Sequence, residues 1–363
     1  MRFVVSGGGR RVTLFAPEGE NVTSSTAPRQ LGFIHLVPID PEDPTRGLAD
    51  TIELFRFAEE LGLDSGWLRS RHLQRGLGSP AVLFGALAQH TTRIGLGTAV
   101  IPVGNENPFR LAEDLGTADL LSNGRVLAGV SVHAPGFSDE VNDIVFDAGW
   151  RSEDYGYGRI ERLRDLIAGE TVREVAPYNG IGGDLDTARV EPHSPGLAQR
   201  IWYGGGSLRS AEWAGQAGLG WLMSNISSTE NGVLDFGLVQ KAQIDTYRAA
   251  HPHPENSRAI VARVLVPTED TTPAQRELYT AHVAGRTPRT LKVHGERTII
   301  APDLLGATDE IVERIVADPG YLAADDFLVE LPFEFGLDEW KHILHQVATK
   351  IGPALGWTPG GAA

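Results

Sequence analysis

Cysteine is absent from this chain of 363 residues, and cationic residues are few relative to acidic ones. The lack of cysteine excludes disulfides, thiolate nucleophiles and every metal centre that needs a thiolate ligand. Lysine and arginine together number 32 against 47 aspartates and glutamates, which gives a formal net charge of −15. Because a nucleic-acid surface needs clustered cations to neutralise phosphates, we expect no nucleic-acid partner.

Long apolar runs are missing as well. No stretch approaches the roughly 18 consecutive apolar residues of a membrane span, and the N-terminal MRFVVSGGGRRVTLF has neither the apolar core nor the cleavage site of a signal peptide. We therefore expect no membrane association and a cytoplasmic location. A hydrophobic content of 41% is nevertheless enough for a large folded core.

From residue 31 onward, short β-type runs alternate with segments that carry apolar residues at three- and four-residue spacing. This alternation is typical of a parallel sheet covered by helices. The eight candidate strands span residues 31–37, 64–69, 93–101, 125–132, 200–205, 220–225, 259–266 and 326–331. Eight strand–helix units favour an α/β fold of the (β/α)8 TIM barrel type over an open doubly wound sheet, which usually has fewer strands.

The barrel is predicted to occupy residues 31–363 as a single domain, with insertions at about 133–155 and 170–198. Both insertions are rich in glycine, proline and aspartate, which is typical of loops that shape an active site. Residues 1–30 fall outside the pattern, and RFVV and VTLF on either side of SGGGRR predict a β-hairpin extension followed by a linker. Because barrel enzymes place their chemistry at the carboxyl ends of the strands, the residues just past each strand are the candidate site.

Three consecutive glycines and a serine follow the fifth predicted strand, in RIWYGGGSLRSAEWAGQAG at residues 200–218. At the start of a helix, this run exposes several backbone N–H groups, and such a geometry binds phosphate. A tight turn with Ser207 as the helix N-cap remains an alternative. Neither G-x-G-x-x-G nor G-x-x-x-x-G-K-[ST] fits the chain, so a dinucleotide fold of the Rossmann type and a P-loop are both excluded.

The third predicted strand, RIGLGTAVIP, leaves one face almost without side chains because Gly95, Gly97 and Ala99 alternate along it. A planar molecule has room to approach the end of such a face. Close packing of a barrel strand against its neighbours explains the same pattern and stays open as the alternative.

Four segments in order resemble the bacterial luciferase-like family of flavin-dependent monooxygenases, over about residues 31–355. Residues 57–68 resemble the first helix and second strand of that family. The most characteristic block of that family resembles residues 93–132, RIGLGTAVIPVGNENPFRLAEDLGTADLLSNGRVLAGVSV. This segment has an Asn-Pro helix start followed by D-L-L-S-x-G-R. RIWYGGGS resembles its phosphate strand, and GWTP near the end of the chain, with Pro-Ala-Leu-Gly at 353–356, resembles the C-terminal segment of family members.

The resemblance implies a barrel that binds FMN at the carboxyl ends of its strands, with the ring beside the third strand and the phosphate at the glycine run. It also implies a non-proline cis peptide between Ala99 and Val100, which some members carry. The implied cofactor-binding residues are Thr98, Ala99, Val100, Ser131, Tyr157, Arg159, Gly205, Gly206 and Ser207.

Two histidines past strand ends, His72 and His133, are the candidate catalytic residues. An imidazole with a pKa near 6.5 can take up or release a proton at neutral pH. A hydrogen-bonded loop role remains the alternative for each. Arg71 stands where the luciferases carry their active-site histidine, so we do not expect light emission.

Two further positions depart from the family pattern. Val132 replaces the phosphate-binding arginine of the luciferases, so the positive partner of a phosphate would have to be another residue, such as Arg159 or Arg209. Leu219 replaces the usual aspartate before the Gly-Trp of the sixth strand.

The expected function is therefore that of an FMN-dependent oxidoreductase, a monooxygenase that uses reduced FMN as co-substrate with O2 on a small organic substrate. Since the chain has no nicotinamide fingerprint, we expect a separate flavin reductase to supply the reduced flavin, and the family resemblance implies a homodimer. An F420-dependent hydride-transfer enzyme and a flavin-binding protein without turnover are the alternatives.

Two other classes have weaker support. A hydrolase with paired carboxylates would need acids at several strand ends, where only Asp40, Glu106, Glu330 and Glu334 lie nearby. The HPHPE segment at 251–255 has two histidines but no third ligand, so we predict no metal.

Overall fold

The computed structural model describes residues 27–174, 187–230, 232–290 and 292–360. The predicted N-terminal hairpin and part of the second predicted insertion lie outside these residues. Within the described ranges the strands are β1 Leu31–His35, β2 Ser65–Leu68, β3 Gly95–Thr98, β4 Ile101–Pro102, β5 Val126–Ser131, β6 Ile201–Gly204, β7 Gly220–Met223, β8 Ile226–Ser228, β9 Ala259–Arg263, β10 Leu265–Pro267, β11 Thr298–Ile300, β12 Leu304–Gly306 and β13 Asp326–Glu330.

The helices alternate with these strands. They are α1 Arg46–Glu60, α2 Pro80–His90, α3 Pro108–Leu121, α4 Asp139–Val145, α5 Tyr157–Ala168, α6 Leu208–Gln216, α7 Phe236–Ala250, α8 Pro273–Thr290, α9 Thr308–Val316, α10 Pro319–Ala323, α11 Leu337–Gln346 and α12 Gly352–Leu355. No helix in the described ranges has the length and apolar character needed to cross a bilayer.

The fold is a closed barrel of eight parallel strands with helices, which confirms the predicted class. The barrel strands are β1, β2, β3, β5, β6, β7, β9 and β13, and each lies within one of the eight intervals expected from the sequence. The short strands β8, β11 and β12 lie in the connections after barrel strands and were not expected, whereas β4 and β10 overlap the ends of the predicted intervals 93–101 and 259–266.

The described residues form two compact units, one comprising 27–35, 56–66 and 205–360, and the other 36–55 and 67–204. In the first unit β1, β13, β9 and β7 run in parallel, with Phe33 opposite Val329 and Leu222 opposite Ile260. In the second unit β3 and β6 both pair with β5. The strands of both units are almost wholly apolar and buried, as expected for parallel strands covered on both faces.

Much of the family-like block at 93–132 holds the second unit together. Asp119, at the end of α3, is fully buried and accepts hydrogen bonds from Arg200 at 2.7 and 2.8 Å, from Ser194 at 2.6 Å and from the Val126 backbone at 3.0 Å. Burial alone would raise the pKa of Asp119, but these donors and the charge of Arg200 outweigh it and lower that pKa. The carboxylate therefore anchors the start of β5.

Arg125 stabilises the same block through hydrogen bonds to backbone oxygens. Its guanidinium donates to the backbone oxygens of Ile94 at 2.7 Å, Thr91 at 3.0 Å and Ser122 at 2.7 Å, and so ties the end of α2 to β3. Asn107 begins α3 by accepting from the Phe109 backbone at 2.9 Å, with proline at the first helical position. The D-L-L-S-x-G-R and Asn-Pro motifs are therefore structural elements of this unit.

The C-terminal GWTP segment has a structural role in the first unit. Trp357 is 4% exposed, and its indole N–H donates to the Asp64 carboxylate at 2.8 Å. The same oxygen accepts the Leu31 backbone N–H at 2.8 Å, at the first residue of β1. The C-terminal segment thus fastens to the start of the first strand.

Candidate functional site

The glycine run follows β6, and the chain passes directly from it into α6. The Gly205 N–H is taken by the carbonyl of Leu222 at 3.2 Å. Within the described part of the chain, the backbone N–H groups of Gly206 and Ser207 make no hydrogen bond. Two neighbouring donors at the positive end of a helix form a cradle for an anion.

The glycine at position 206 is required by its surroundings. Its carbonyl accepts from the Ser228 N–H at 2.7 Å and the Ser227 hydroxyl at 3.3 Å, so the peptide is fixed against β8. A Cβ on Gly206 would lie 3.1 Å from the Cα of Ser227, closer than nearly all real contacts. The Ser207 side chain accepts from the Ser210 N–H, so the N-cap interpretation of Ser207 is correct alongside the cradle.

A carboxylate stands at the edge of this cradle, and no sequence motif indicates it. Glu230 accepts the next amide of the helix end, the Leu208 N–H, at 3.1 Å. Its other oxygen lies 3.4 Å from the Arg297 guanidinium. An anionic ligand in the cradle would therefore bind beside an existing negative charge, which weakens its binding.

At the end of β3, the peptide bond between Ala99 and Val100 is cis, as the resemblance implies. Ala99 and Val100 are both partly exposed, whereas Thr98 is buried and its hydroxyl donates to the Gly129 carbonyl at 2.6 Å. Contact between Thr98 and a ligand would therefore involve its backbone. A Cβ on Gly204 would lie 2.5 Å from Val100 Cγ1, so this glycine makes room for the Val100 side chain.

Close packing explains the bare face of the same strand at Gly97. A Cβ there would collide with the indole of Trp67, which is fully buried and packs edge-on against Trp202 at 5.8 Å. The space that the glycine leaves is thus filled by an aromatic side chain. Only the partly exposed end of the strand, at Ala99 and Val100, is left for a ligand.

In the loop after β2, the Ser70 hydroxyl and Nε2 of His72 are buried and have no hydrogen-bond partner among the described residues. Ser70 is 7% exposed, and sequence reasoning did not select it. Burial, followed by the charge of His133, lowers the pKa of His72, so its imidazole is neutral at pH 7. Leu73, next in the chain, has φ of +52°, an unusual conformation for a bulky residue. Such features are common where a loop serves a ligand.

His133 lies past β5 and is exposed, and its electrostatic effect on His72 places the two imidazoles in one neighbourhood. A Cβ on Gly104 would collide with the His133 carbonyl and lie 3.3 Å from the Tyr155 ring. Ser131 ends β5 and is aligned with Pro102 of β4. Both candidate histidines thus lie past the ends of strands in the second unit.

Arg159 is already engaged and is not a ready partner for a phosphate. Its guanidinium donates to the Val103 carbonyl at 2.9 Å, to the Glu106 carbonyl at 2.6 Å and to the Glu153 carboxylate at 2.9 Å. Tyr157 begins α5 and packs edge-on against Tyr203 at 5.9 Å. The described residues contain no cluster of three or more metal-ligating side chains.

These residues fit a phosphorylated flavin in part. The free amides of Gly206 and Ser207, in the first unit, suit a phosphate, and in the second unit Ser70 and His72 have polar atoms without a partner among the described residues. Glu230 opposes the phosphate charge.

The comparisons with known proteins agree with the fold. A profile of the luciferase-like monooxygenase family matches residues 30–317. A luciferase-like monooxygenase of Escherichia coli is 30% identical over 192 residues, which cover 52% of each chain. The limonene 1,2-monooxygenase of Rhodococcus erythropolis is 31% identical over 210 residues, again 52% of each chain. An F420-dependent glucose-6-phosphate dehydrogenase of Amycolatopsis mediterranei is 30% identical over 188 residues, 49% of this chain and 54% of that protein.

The chain thus spans about half the length of these curated relatives. Among solved structures, the monooxygenase RslO1 of Streptomyces bottropensis superposes with a TM-score of 0.66 at 18% identity, over 90% of this chain and 99% of that one. The oxygenating constituent of 3,6-diketocamphane monooxygenase of Pseudomonas putida, in complex with FMN, gives 0.61 at 14% identity, over 90% and 98%. Because the family profile matches most of the chain, this protein belongs to the luciferase-like monooxygenase family.

Proposed function

We propose that the protein is an FMN-dependent monooxygenase that takes reduced FMN as a co-substrate and uses O2 to oxidise a small organic substrate. The observation that carries the proposal is the pair of free amides at Gly206 and Ser207, with the Glu230 carboxylate on the next amide. Such a cradle recognises a phosphate, and the nearby charge keeps its affinity moderate. Moderate affinity suits a flavin that arrives reduced and leaves oxidised, which in turn calls for a separate flavin reductase.

When bound, reduced flavin supplies the electrons and the reaction with O2. The chain's own residues bind the flavin and orient it. In this proposal the amides of Gly206 and Ser207 hold the phosphate, Gly205 forms the turn before them because its N–H is taken by Leu222, and Ala99 and Val100 border the ring. The surrounding loops are shaped by Ser131, Thr98, Tyr157 and Arg159. Arg159 does so by fixing the backbone at Val103 and Glu106.

His72 is the proposed proton acceptor. Its pKa is lowered by burial, so the imidazole is neutral at pH 7 and Nε2 has no competing partner among the described residues. His133 is proposed to assist from the same neighbourhood. A neutral imidazole near the substrate can accept a proton and return it after the reaction.

F420 is the second candidate cofactor, since one relative is named as F420-dependent. F420 carries an oligoglutamate tail and therefore more negative charge than FMN. The acidic chain, with a net charge of −15, and Glu230 beside the cradle both favour the less charged flavin. The expected homodimer remains a proposal that a sedimentation measurement would test.

The test is a titration of the purified protein with FMN, reduced FMN and F420, followed by absorbance and fluorescence. We expect micromolar binding of FMN, weaker binding of F420, and loss of FMN binding in Gly206→Ala because the added Cβ presses on Ser227. Gly285→Ala is the matched control, since a Cβ at that position of α8 meets nothing. Equal FMN binding in both variants would contradict the proposed cradle.

A flavin-binding protein without turnover is the remaining alternative. Oxygen uptake with reduced FMN, measured against a panel of aldehydes, ketones, amines and aromatics, separates it from a monooxygenase. Substrate-dependent consumption of O2 is expected, and flavin binding with no substrate-dependent uptake would identify the non-catalytic protein.

A further inference from the structure

A cleft of about 250 Å³ lies between the loop that follows β4 and the segment from α4 to Tyr155. Its walls include the aromatic rings of Phe146, Trp150 and Tyr155. Trp150 is held in place because its indole N–H donates to Asp143 at 2.9 Å. Fixed aromatic walls suit the apolar part of a small ligand.

The charged residues that line the cleft are mostly acidic. Glu106, Asp147 and Glu153 contribute carboxyl groups, and Arg159 is the one cation among the described lining residues. The Arg159 guanidinium already donates to Glu153 and to the carbonyls of Val103 and Glu106. An anionic ligand would therefore find repulsion and no available cation.

The unsatisfied polar groups of the cleft are hydrogen-bond acceptors. Oδ1 of Asn105 is buried and has no hydrogen-bond partner in the described structure. Beside it, Glu106 is partly buried and makes no side-chain hydrogen bond within the described residues. Burial first, and the charge of Asp114 second, raise the pKa of Glu106 to about 7 against the opposing effect of Arg159. Both groups would be stabilised by a ligand that donates hydrogen bonds and carries positive charge.

We propose that this cleft binds the protonated amine of a small aromatic or alkyl amine, with Glu106 as the counter-ion and Asn105 as hydrogen-bond acceptor. The aromatic walls contact the hydrocarbon part and add attraction for the cation. This inference rests on the proposed function only where the amine is taken as the molecule that the enzyme oxidises; the binding itself needs no flavin.

The experiment is calorimetry on the flavin-free protein with three ligands of similar size: 2-phenylethylamine, 2-phenylethanol and 3-phenylpropanoate. We expect the amine to bind and the other two to bind at least about tenfold more weakly, as for loss of a charge-assisted hydrogen bond. Glu106→Gln should weaken amine binding by a similar factor. Glu140→Gln is the matched control, since this exposed residue of α4 lies outside the cleft lining.

The pH dependence of the wild-type protein gives a second readout that needs no variant. Glu106 faces Asp114 of α3, Arg159 of α5, and Asp147 and Glu153 of the neighbouring loop. Because the amine stays protonated while Glu106 ionises, affinity should rise between about pH 6 and about pH 8. In Glu106→Gln that rise should disappear.

Three results would overturn the inference: no amine binding, alcohol or carboxylate binding as tight as the amine, or amine affinity unchanged in Glu106→Gln. An FMN titration of the same preparations keeps the two proposals apart. A protein that binds the amine but no flavin retains this site and loses the proposed function; the reverse result removes the amine site alone.

Discussion

Glu230 carries a charge that would repel an anion in the cradle, whereas the neighbouring amides would attract one. Gly206 and Ser207 present free amides to an anion, while Glu230 occupies the following amide with a negative charge. A like charge this close to a partly exposed phosphate costs on the order of 1 kcal/mol, since water and salt screen it. We therefore expect Glu230 to change the affinity of the proposed cradle rather than its geometry.

Replacing Glu230 by glutamine should tighten FMN binding about fivefold, because the like charge is removed while a hydrogen-bond acceptor for the Leu208 N–H remains. Riboflavin, which lacks the phosphate, should bind both proteins equally. The measurement is a fluorescence titration at low salt, with Glu212→Gln on the exposed side of α6 as control. Weaker FMN binding in the variant would show that Glu230 supports the site.

His72 is the residue on which turnover should depend. His72→Asn should lower kcat by about 10² or more while leaving FMN affinity unchanged, as for loss of a proton acceptor. Since its pKa lies below the ordinary value, wild-type activity should fall only as the pH drops below about 6.5, when the imidazole becomes protonated. His90→Asn, an exposed change at the end of α2, is the control. Full activity in His72→Asn would assign it a structural role.

At the scale of elements, the sequence predicted more of the framework than of the site. The eight strands were found because parallel buried strands read as short apolar runs, and all eight agree with the structure. The short strands β8, β11 and β12 were missed since a three-residue strand has too few positions to show a period. The glycine run was identified from its own residues, whereas Glu230 lies 22 positions from Leu208, and only the fold brings them together.

The third strand shows the same limit, because the sequence leaves both close packing and the approach of a planar ligand open there. Gly97 offered a bare face in the sequence, and the structure fills that face with Trp67 from another strand. Ser70 was passed over because a lone serine carries no pattern, although its burial without a partner distinguishes it in the structure. Burial and pairing of individual polar atoms depend on long-range packing, which local patterns do not report.

The Asp119–Arg200 pair should be the most sensitive point of the element framework. Asp119→Asn should lower the free energy of unfolding by about 3 kcal/mol, because it leaves a largely buried arginine without its counter-charge. Urea denaturation measures this, with Asp114→Asn on the exposed side of α3 as control, expected to cost less than about 1 kcal/mol.

The pH dependence of that loss has a definite sign. The native pKa of Asp119 is depressed, so its contribution is fully present above the unfolded value of about 4 and is lost as the pH falls through the native value. The difference between wild type and Asp119→Asn should therefore be constant near neutrality and shrink in strong acid. A difference that grows on acidification would contradict this assignment.

At the scale of the whole molecule, we expect the contact between the C-terminal segment and the start of the first strand to matter most for stability. Trp357 is near the end of the chain, yet it donates to Asp64 and so supports the first residue of β1. Trp357→Phe should cost about 1–2 kcal/mol, as the carboxylate loses one donor, and Trp357→Ala about 3–5 kcal/mol from the added cavity. Thermal or urea unfolding tests both, and equal losses would show that the hydrogen bond contributes nothing.

The motif that identifies the family is the one that Asp119 and Arg125 build, and both residues serve packing. Family membership is thus marked by residues that stabilise the scaffold. A relative without His72 and Ser70 would still carry these packing residues, although it would lack the proposed proton acceptor. The residues that mark the family are therefore different from those proposed for catalysis, and each set needs its own experiment.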